Sequence, residues 1–213
     1  MKNLLYSILL LTGVLIRGIS IAQSADIQLD KPDLNSGKPL MAVLSERSSH
    51  REFNNKELSL EHLSGLLWAA CGINRPESGK RTAPSAMNWQ DVQVYVFLKS
   101  GIYFYKEDGH KLELIKEGDY RAEAGSQDFV ATAPVNLIYV SDYSRMTKAS
   151  DKDKEFYSGL NTGFISQNVY LYCASENLNT VVRAYVDREA LHKLIGLKPE
   201  QHVVVGQTVG YRP

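Results

Sequence analysis

The chain has 213 residues, 44% of them hydrophobic, with 24 basic against 24 acidic side chains. That is enough apolar mass for one packed domain, and the balanced charge leaves no nucleic-acid footprint. Five scattered histidines (His50, His62, His110, His192 and His202) lack metal-ligand spacing.

The N-terminus reads as a cleavable secretory signal peptide over residues 1–22. Lys2 gives a positive start, Leu4 to Ile16 an apolar run, and Ser20-Ile21-Ala22 the small residues a signal peptidase selects. Cleavage is expected after Ala22, with Ala25 as the second site. The run is short of the ~20 residues a membrane span needs, and Arg17 breaks it, so no stable anchor remains after cleavage. No Arg-Arg pair precedes the run and no Cys follows the cleavage region, which points to export of the unfolded chain and against a lipoprotein. Loss of Lys2 and Arg17 leaves 22 basic against 24 acidic residues, a net charge of −2. The expected location is periplasmic or secreted.

Residues 23–39 read as an extended N-terminal arm, and residues 40–213 as the folded domain. Pro39 opens a short helix, Leu40–Glu46. Ser59 caps a helix running to Cys71, with Leu60, Leu63, Leu66, Leu67 and Ala70 at helical spacing and Gly72 as its stop. A polar turn and a tight loop, Pro84-Ser85-Ala86-Met87-Asn88, lead into the alternating strand Asp91–Leu98. Strands Ile102–Lys106 and Lys111–Ile115 join at the Asp108-Gly109 turn.

Asp119–Thr132 is a predicted helix ending before Pro134, followed by a buried strand, Val135–Val140. Arg145–Glu155 reads as a charged surface segment, loop or frayed helix. Phe156–Leu178 is the predicted central buried helix. Thr180–Val186 is a strand, Asp187 caps Arg188–Ile195, and Val203–Val209 is the last strand. Cys71 and Cys173 fall inside apolar helical runs, where thiols behave as small buried hydrophobes, so the reading disfavours a disulfide despite the oxidising compartment. The fold expected from these elements is one mixed α/β domain with mostly antiparallel strands.

Several local groups are candidates for chemistry. Arg47-Ser48-Ser49-His50-Arg51 concentrates guanidinium and hydroxyl donors suited to a phosphate, though a solvated basic turn fits as well. Pro84-Ser85-Ala86-Met87-Asn88-Trp89-Gln90 lacks the glycines of a P-loop or Rossmann fingerprint. Arg183, taken alone, belongs on the solvated face of a strand, and Arg212 is a tail residue. No Gly-x-Ser-x-Gly elbow or nucleophile–base pair occurs, so any hard chemistry falls to a cofactor.

Taken together, these segments resemble the nitroreductase family of FMN-dependent flavoproteins. Arg47-Ser48-Ser49-His50-Arg51-Glu52-Phe53 is similar to its opening Arg-x-Ser-x-Arg/Lys-x-Phe. Arg81-Thr82-Ala83-Pro84-Ser85-Ala86-Met87-Asn88-Trp89-Gln90 resembles its Pro-Ser-Ser/Ala-x-Asn-x-Gln loop, and Gly206-Gln207-Thr208-Val209-Gly210-Tyr211-Arg212-Pro213 its Gly-Tyr-x-Pro ending. Leu66 to Arg75 looks like the branch that includes flavin oxidases of thiazole and oxazole peptide biosynthesis.

The resemblance implies an α+β fold, a central mostly antiparallel sheet flanked by helices, and a homodimer with FMN at its interface. By that resemblance Arg47 and Ser49 hold the phosphate and ribityl chain, Ser48 between them is a further cofactor-binding residue, and Arg51 approaches the pyrimidine edge. Pro84, Ser85, Ala86 and Asn88 touch the flavin of the partner subunit. Gln127 donates to the ring, Arg183 and Ala184 offer backbone N–H near the reactive nitrogen, and Arg212 completes the phosphate site. No side chain need act as a catalytic acid or base. Many members continue past Gly-Tyr-x-Pro with a basic tail; this chain stops at Pro213, so either Arg212 suffices or the phosphate is held less firmly.

The implied activity passes electrons from a nicotinamide or other donor through FMN to a small conjugated acceptor such as a quinone or nitroaromatic. A flavin oxidase using oxygen and a non-catalytic binder of flavin or another planar ligand stand as alternatives. Export puts the nicotinamide donor in question.

Overall fold

The computed structural model describes residues 25–213, so the expected leader lies outside the described residues. In chain order the elements are β1 (Ile27–Gln28), α1 (Leu40–Glu46), α2 (Leu60–Cys71), β2 (Ile73–Arg75), β3 (Lys80–Arg81), β4 (Val92–Leu98), β5 (Gly101–Lys106) and β6 (Lys111–Glu117). They continue with α3 (Asp128–Thr132), β7 (Val135–Asp142), α4 (Asp151–Ser175), β8 (Leu178–Arg183), α5 (Arg188–Ile195) and β9 (Gln201–Tyr211). Short 3-10 turns cover Ala86–Asn88, Arg121–Ala124 and Tyr143–Arg145.

One seven-stranded sheet, in the order β1-β6-β5-β4-β7-β9-β8, has antiparallel pairing throughout. β2 and β3 form a separate small hairpin out of the polar turn after α2. Helices cover both faces of the large sheet. On one face Leu63, Leu66, Leu67 and Ala70 of α2 and Ile165, Val169 and Cys173 of α4 pack on Val92, Val94 and Val96 of β4. On the other, Val130 of α3 and Leu191 and Ile195 of α5 pack on Tyr95 and Phe97. The valine/aromatic alternation of β4 is therefore that of a central strand with both faces dry, and six of its seven residues are buried.

Local chemistry explains most element ends. Ser59, Ser150 and Asp187 accept N-cap hydrogen bonds from the N–H groups of His62, Asp153 and Ala190. Gly196 ends α5 at φ 75°, a left-handed cap that glycine adopts without a Cβ penalty. The hairpin at Asp108-Gly109 closes on the Lys106–Lys111 pair. Both cysteines are free and buried.

Four expectations need correction. The predicted helix Asp119–Thr132 is two pieces, the 3-10 turn and α3, separated by Gly125-Ser126-Gln127. α4 begins at Asp151 rather than Phe156, because Ser150 caps a first turn whose charged residues carry no apolar periodicity. It also ends at Ser175, and Leu178 already belongs to β8. β8 stops at Arg183, where Ala184–Val186 turn back through a Val186 N–H to Ala184 carbonyl bond. The arm is anchored as well as extended: Ile27 and Gln28 pair with β6, and Leu29 is buried in the core.

Candidate functional site

The Arg/Ser cluster follows α1 and lies along β8, at the edge of the sheet. The His50 N–H donates to the Thr180 carbonyl at 3.0 Å, which aligns the segment with the strand. Ser49 Oγ lies 2.8 Å from the Tyr170 hydroxyl, and the Val182 N–H donates to that same hydroxyl at 3.0 Å. The Arg47 guanidinium lies 5.3 Å from the Tyr170 ring centroid, within cation–π range. Ser48 Oγ and His50 Nε2 are 2.6 Å apart. Arg212 joins Ser48, His50, Tyr170 and Thr180 around one small hollow. The structure thus brings Arg47, Ser48, Ser49 and Arg212 together; Arg51 lies in the same stretch, exposed.

No ion pair links Arg47, Arg51 or Arg212 to a carboxylate among the described residues. These guanidinium groups therefore keep their charge-assisted donors for an incoming anion. The donor types suit a phosphate, and the carboxylate of Glu46, paired with Lys38, lines the same hollow.

The Pro84–Asn88 loop stands elsewhere, beside the N-terminal half of α4. Met87, Asn88 and Gln90 take φ of 50°, 55° and 49°, three left-handed non-glycine residues around a right-handed Trp89 that the surroundings must hold. Three contacts do so. The Ala86 N–H donates to Asn161 Oδ1 at 3.1 Å, the Gln90 N–H donates to Ser85 Oγ at 2.8 Å, and Gln90 Nε2 reaches the Gly79 carbonyl at 3.0 Å. Asn161 Nδ2 in turn donates to Asp91 Oδ1 at 2.7 Å, and Ser141 Oγ to Asp91 Oδ2 at 2.6 Å, inside the core. Ser85 is thereby a scaffold for its loop, while Pro84 and Asn88 are exposed.

Asn161 and Tyr170 are nine residues apart on α4, roughly 13 Å at ~1.5 Å per residue, so within one chain the two clusters are separate. Reading the sequence missed Asn161, Asp91 and Tyr170, which fix both clusters. The available signal was polar residues at helical spacing: Ser158, Asn161, Thr162 and Ser166 share the buried side of α4 with Tyr170.

Gln127 sits at the N-cap of α3, its side-chain Oε1 buried and without a hydrogen-bond partner among the described residues. Ala184 is exposed in the turn after β8. Arg183 departs from the reading of its strand as solvated: it is 5% exposed, and its guanidinium points into the interior. Burial alone pushes its pKa down to about 10.

A model of the nitroreductase family matches residues 44–211. A candidate nitroreductase of Methanocaldococcus jannaschii is 34% identical over 180 residues, 79% of this chain and 89% of that protein. The crystal structure of a candidate nitroreductase from Ralstonia eutropha superposes with a TM-score of 0.85 at 40% identity, covering 95% of this chain and 96% of that one. More distant structures share the fold. The E. coli microcin synthetase complex McbBCD matches at TM-score 0.67 and 19% identity over 87% of this chain and 77% of that one. The NADPH:FMN oxidoreductase of Vibrio harveyi, complexed with NAD+, matches at 0.62 and 19% over 81% and 68%.

Proposed function

The chain belongs to the nitroreductase family, and on that premise we propose that it is an exported, homodimeric, FMN-dependent oxidoreductase acting on a small conjugated acceptor such as a quinone or nitroaromatic. The observation that carries this reading is the grouping of Arg47, Ser48, Ser49 and Arg212 about Tyr170, with both guanidinium groups free of any ion pair among the described residues. Bound FMN supplies hydride and electron transfer between a nicotinamide or other donor and the acceptor. The chain's own part is to bind, orient and exclude water. Arg47 and Arg212 neutralise the phosphate, and Ser48 and Ser49 supply hydroxyls to phosphate and ribityl chain. Arg51 sets a cation toward the pyrimidine edge, Gln127 and the Arg183-Ala184 backbone meet the ring, and Pro84, Ser85, Ala86 and Asn88 serve the partner subunit's flavin.

The surface of α4 supports the homodimer. Phe156, Leu160 and Phe164 are 64%, 40% and 38% exposed on one stripe, interleaved with Gly159 and Gly163, where a Cβ would meet nothing. Leu40, Met41 and Leu44 of α1 are exposed as well. Large apolar residues gathered on one helix face mark a contact surface rather than scattered exposure.

The test begins with colour. Purified mature protein should be yellow, release FMN on denaturation, and bleach on anaerobic mixing with a reduced nicotinamide or another hydride donor. A colourless protein that takes up no added FMN refutes the flavin reading. A yellow protein that bleaches with no donor leaves the non-catalytic binder standing and refutes the enzyme.

A further inference from the structure

Arg183 carries a positive charge in the protein interior, and the protein surrounds it with neutral groups. Its Nη1 donates to the Ala124 carbonyl at 2.7 Å, Nη2 to Asn136 Oδ1 at 2.9 Å, and Nε to Thr208 Oγ1 at 2.8 Å. The acceptors are themselves oriented. Asn136 Nδ2 donates to the Val130 carbonyl at 2.9 Å, which turns its oxygen toward the guanidinium, and the Thr208 hydroxyl donates to that oxygen at 2.7 Å. Two glycines give the space. A Cβ at Gly125 would overlap Nη1, and one at Gly206 would stand 3.0–3.2 Å from the guanidinium. No ion pair reaches Arg183 among the described residues.

Such a site is costly. Removing a cation from water is unfavourable, and a nearby carboxylate is the usual compensation. A neutral glutamine or a well-packed apolar residue would tie the strand end with less desolvation. What a neutral partner cannot supply is an uncompensated field. Opposed charges inside a protein interact over longer distances than in water, because the medium screens them less.

The residue also belongs to the strand end that borders the candidate cofactor site. Val182, the preceding residue, donates its N–H to Tyr170, the hub of the Arg47/Ser49 cluster. Ala184 and Tyr185, the following residues, form an exposed turn that the Ser126 N–H bonds through the Tyr185 carbonyl at 3.4 Å. Building on the flavin reading above, we propose that Arg183 is a buried positioning residue. It fixes the Ala184-Tyr185 turn against the bound ring, and its unpaired charge stabilises the negative charge that reduction places there. Hydride uptake brings two electrons and one proton and leaves one net negative charge; Arg183 need neither touch the ring nor exchange a proton.

The experiment is an equilibrium redox titration of FMN bound to the full mature protein, with flavin affinity and thermal stability measured alongside. Arg183→Gln keeps donors and removes the charge. Asn136→Asp keeps the cation and sets a carboxylate against it, which cancels the field; it also removes the Nδ2 donor to the Val130 carbonyl, which the stability measurement reads separately. Both variants should shift the midpoint potential to more negative values, and Arg183→Lys should stay closer to wild type. If Asn136→Asp binds FMN at the wild-type potential, the electrostatic role is overturned, whether or not Arg183→Gln folds. Wild-type protein that binds no FMN refutes the flavin reading instead, and this proposal with it.

Discussion

Arg47 and Glu107 show how exposure decides what a charge does in this chain. Arg47 is half-buried, stacked beside Tyr170 and unpaired, so its guanidinium is available to a ligand. A charge-assisted hydrogen bond contributes roughly 1.5–3 kcal/mol, so Arg47→Ala should weaken FMN binding by about 10- to 100-fold in a fluorescence titration while leaving the melting temperature nearly unchanged. Unaltered affinity would remove Arg47 from the phosphate site. Glu107 is paired with Arg81 at 3.1 Å, yet burial outweighs that cation and raises the carboxyl pKa above its ordinary 4.5. A carboxyl raised by folding binds its proton more tightly in the folded than in the unfolded protein. The stability it contributes is present below the unfolded pKa and is lost as pH rises through the folded one. Wild-type protein should therefore lose stability between pH 4.5 and that raised value, and Glu107→Gln should lack this component of the slope. Denaturant unfolding across that interval measures the difference; identical slopes refute it.

At the scale of elements, the sequence was readable wherever a period and a cap agreed, as for α2, α5 and the β5–β6 hairpin. It misled where polar residues do interior work. The first turn of α4 carries Asp151, Lys152, Asp153, Lys154 and Glu155, so hydrophobic period could not reveal it, although the Ser150 cap could have. Arg183 looked solvated because its acceptors come from Ala124, Asn136 and Thr208, far away in sequence. The Pro84–Asn88 motif was legible, but its left-handed geometry rests on Asn161, which no local pattern marks. Asn161→Ala should leave the Ala86 N–H and one oxygen of buried Asp91 without their partner. The expected cost is about 1–3 kcal/mol per unsatisfied group, with faster proteolysis inside residues 84–90 than in the rest of the chain. A loop as resistant to proteolysis as in the wild type would show that the left-handed geometry holds itself.

For the whole molecule, the family context joined pieces that the single chain keeps apart. The Arg47 cluster and the Asn88 loop lie at different levels of α4, and each is half of the proposed site. If a homodimer completes it, each flavin takes its phosphate donors from one subunit and its loop contacts from the other. A C2 dimer makes that exchange reciprocal. Arg47→Ala and Asn88→Ala proteins should each bind FMN poorly. Mixed in equal amounts after reversible dissociation, half of the dimers pair one of each. Every hybrid then carries one site with both defects and one with neither, so about a quarter of the wild-type sites should return, measured as tightly bound FMN. Were both residues to serve a flavin held within one subunit, every site in the mixture would keep one defect and binding would not recover. Hybrid recovery thus separates a shared site from two independent ones, even when each single substitution weakens binding equally.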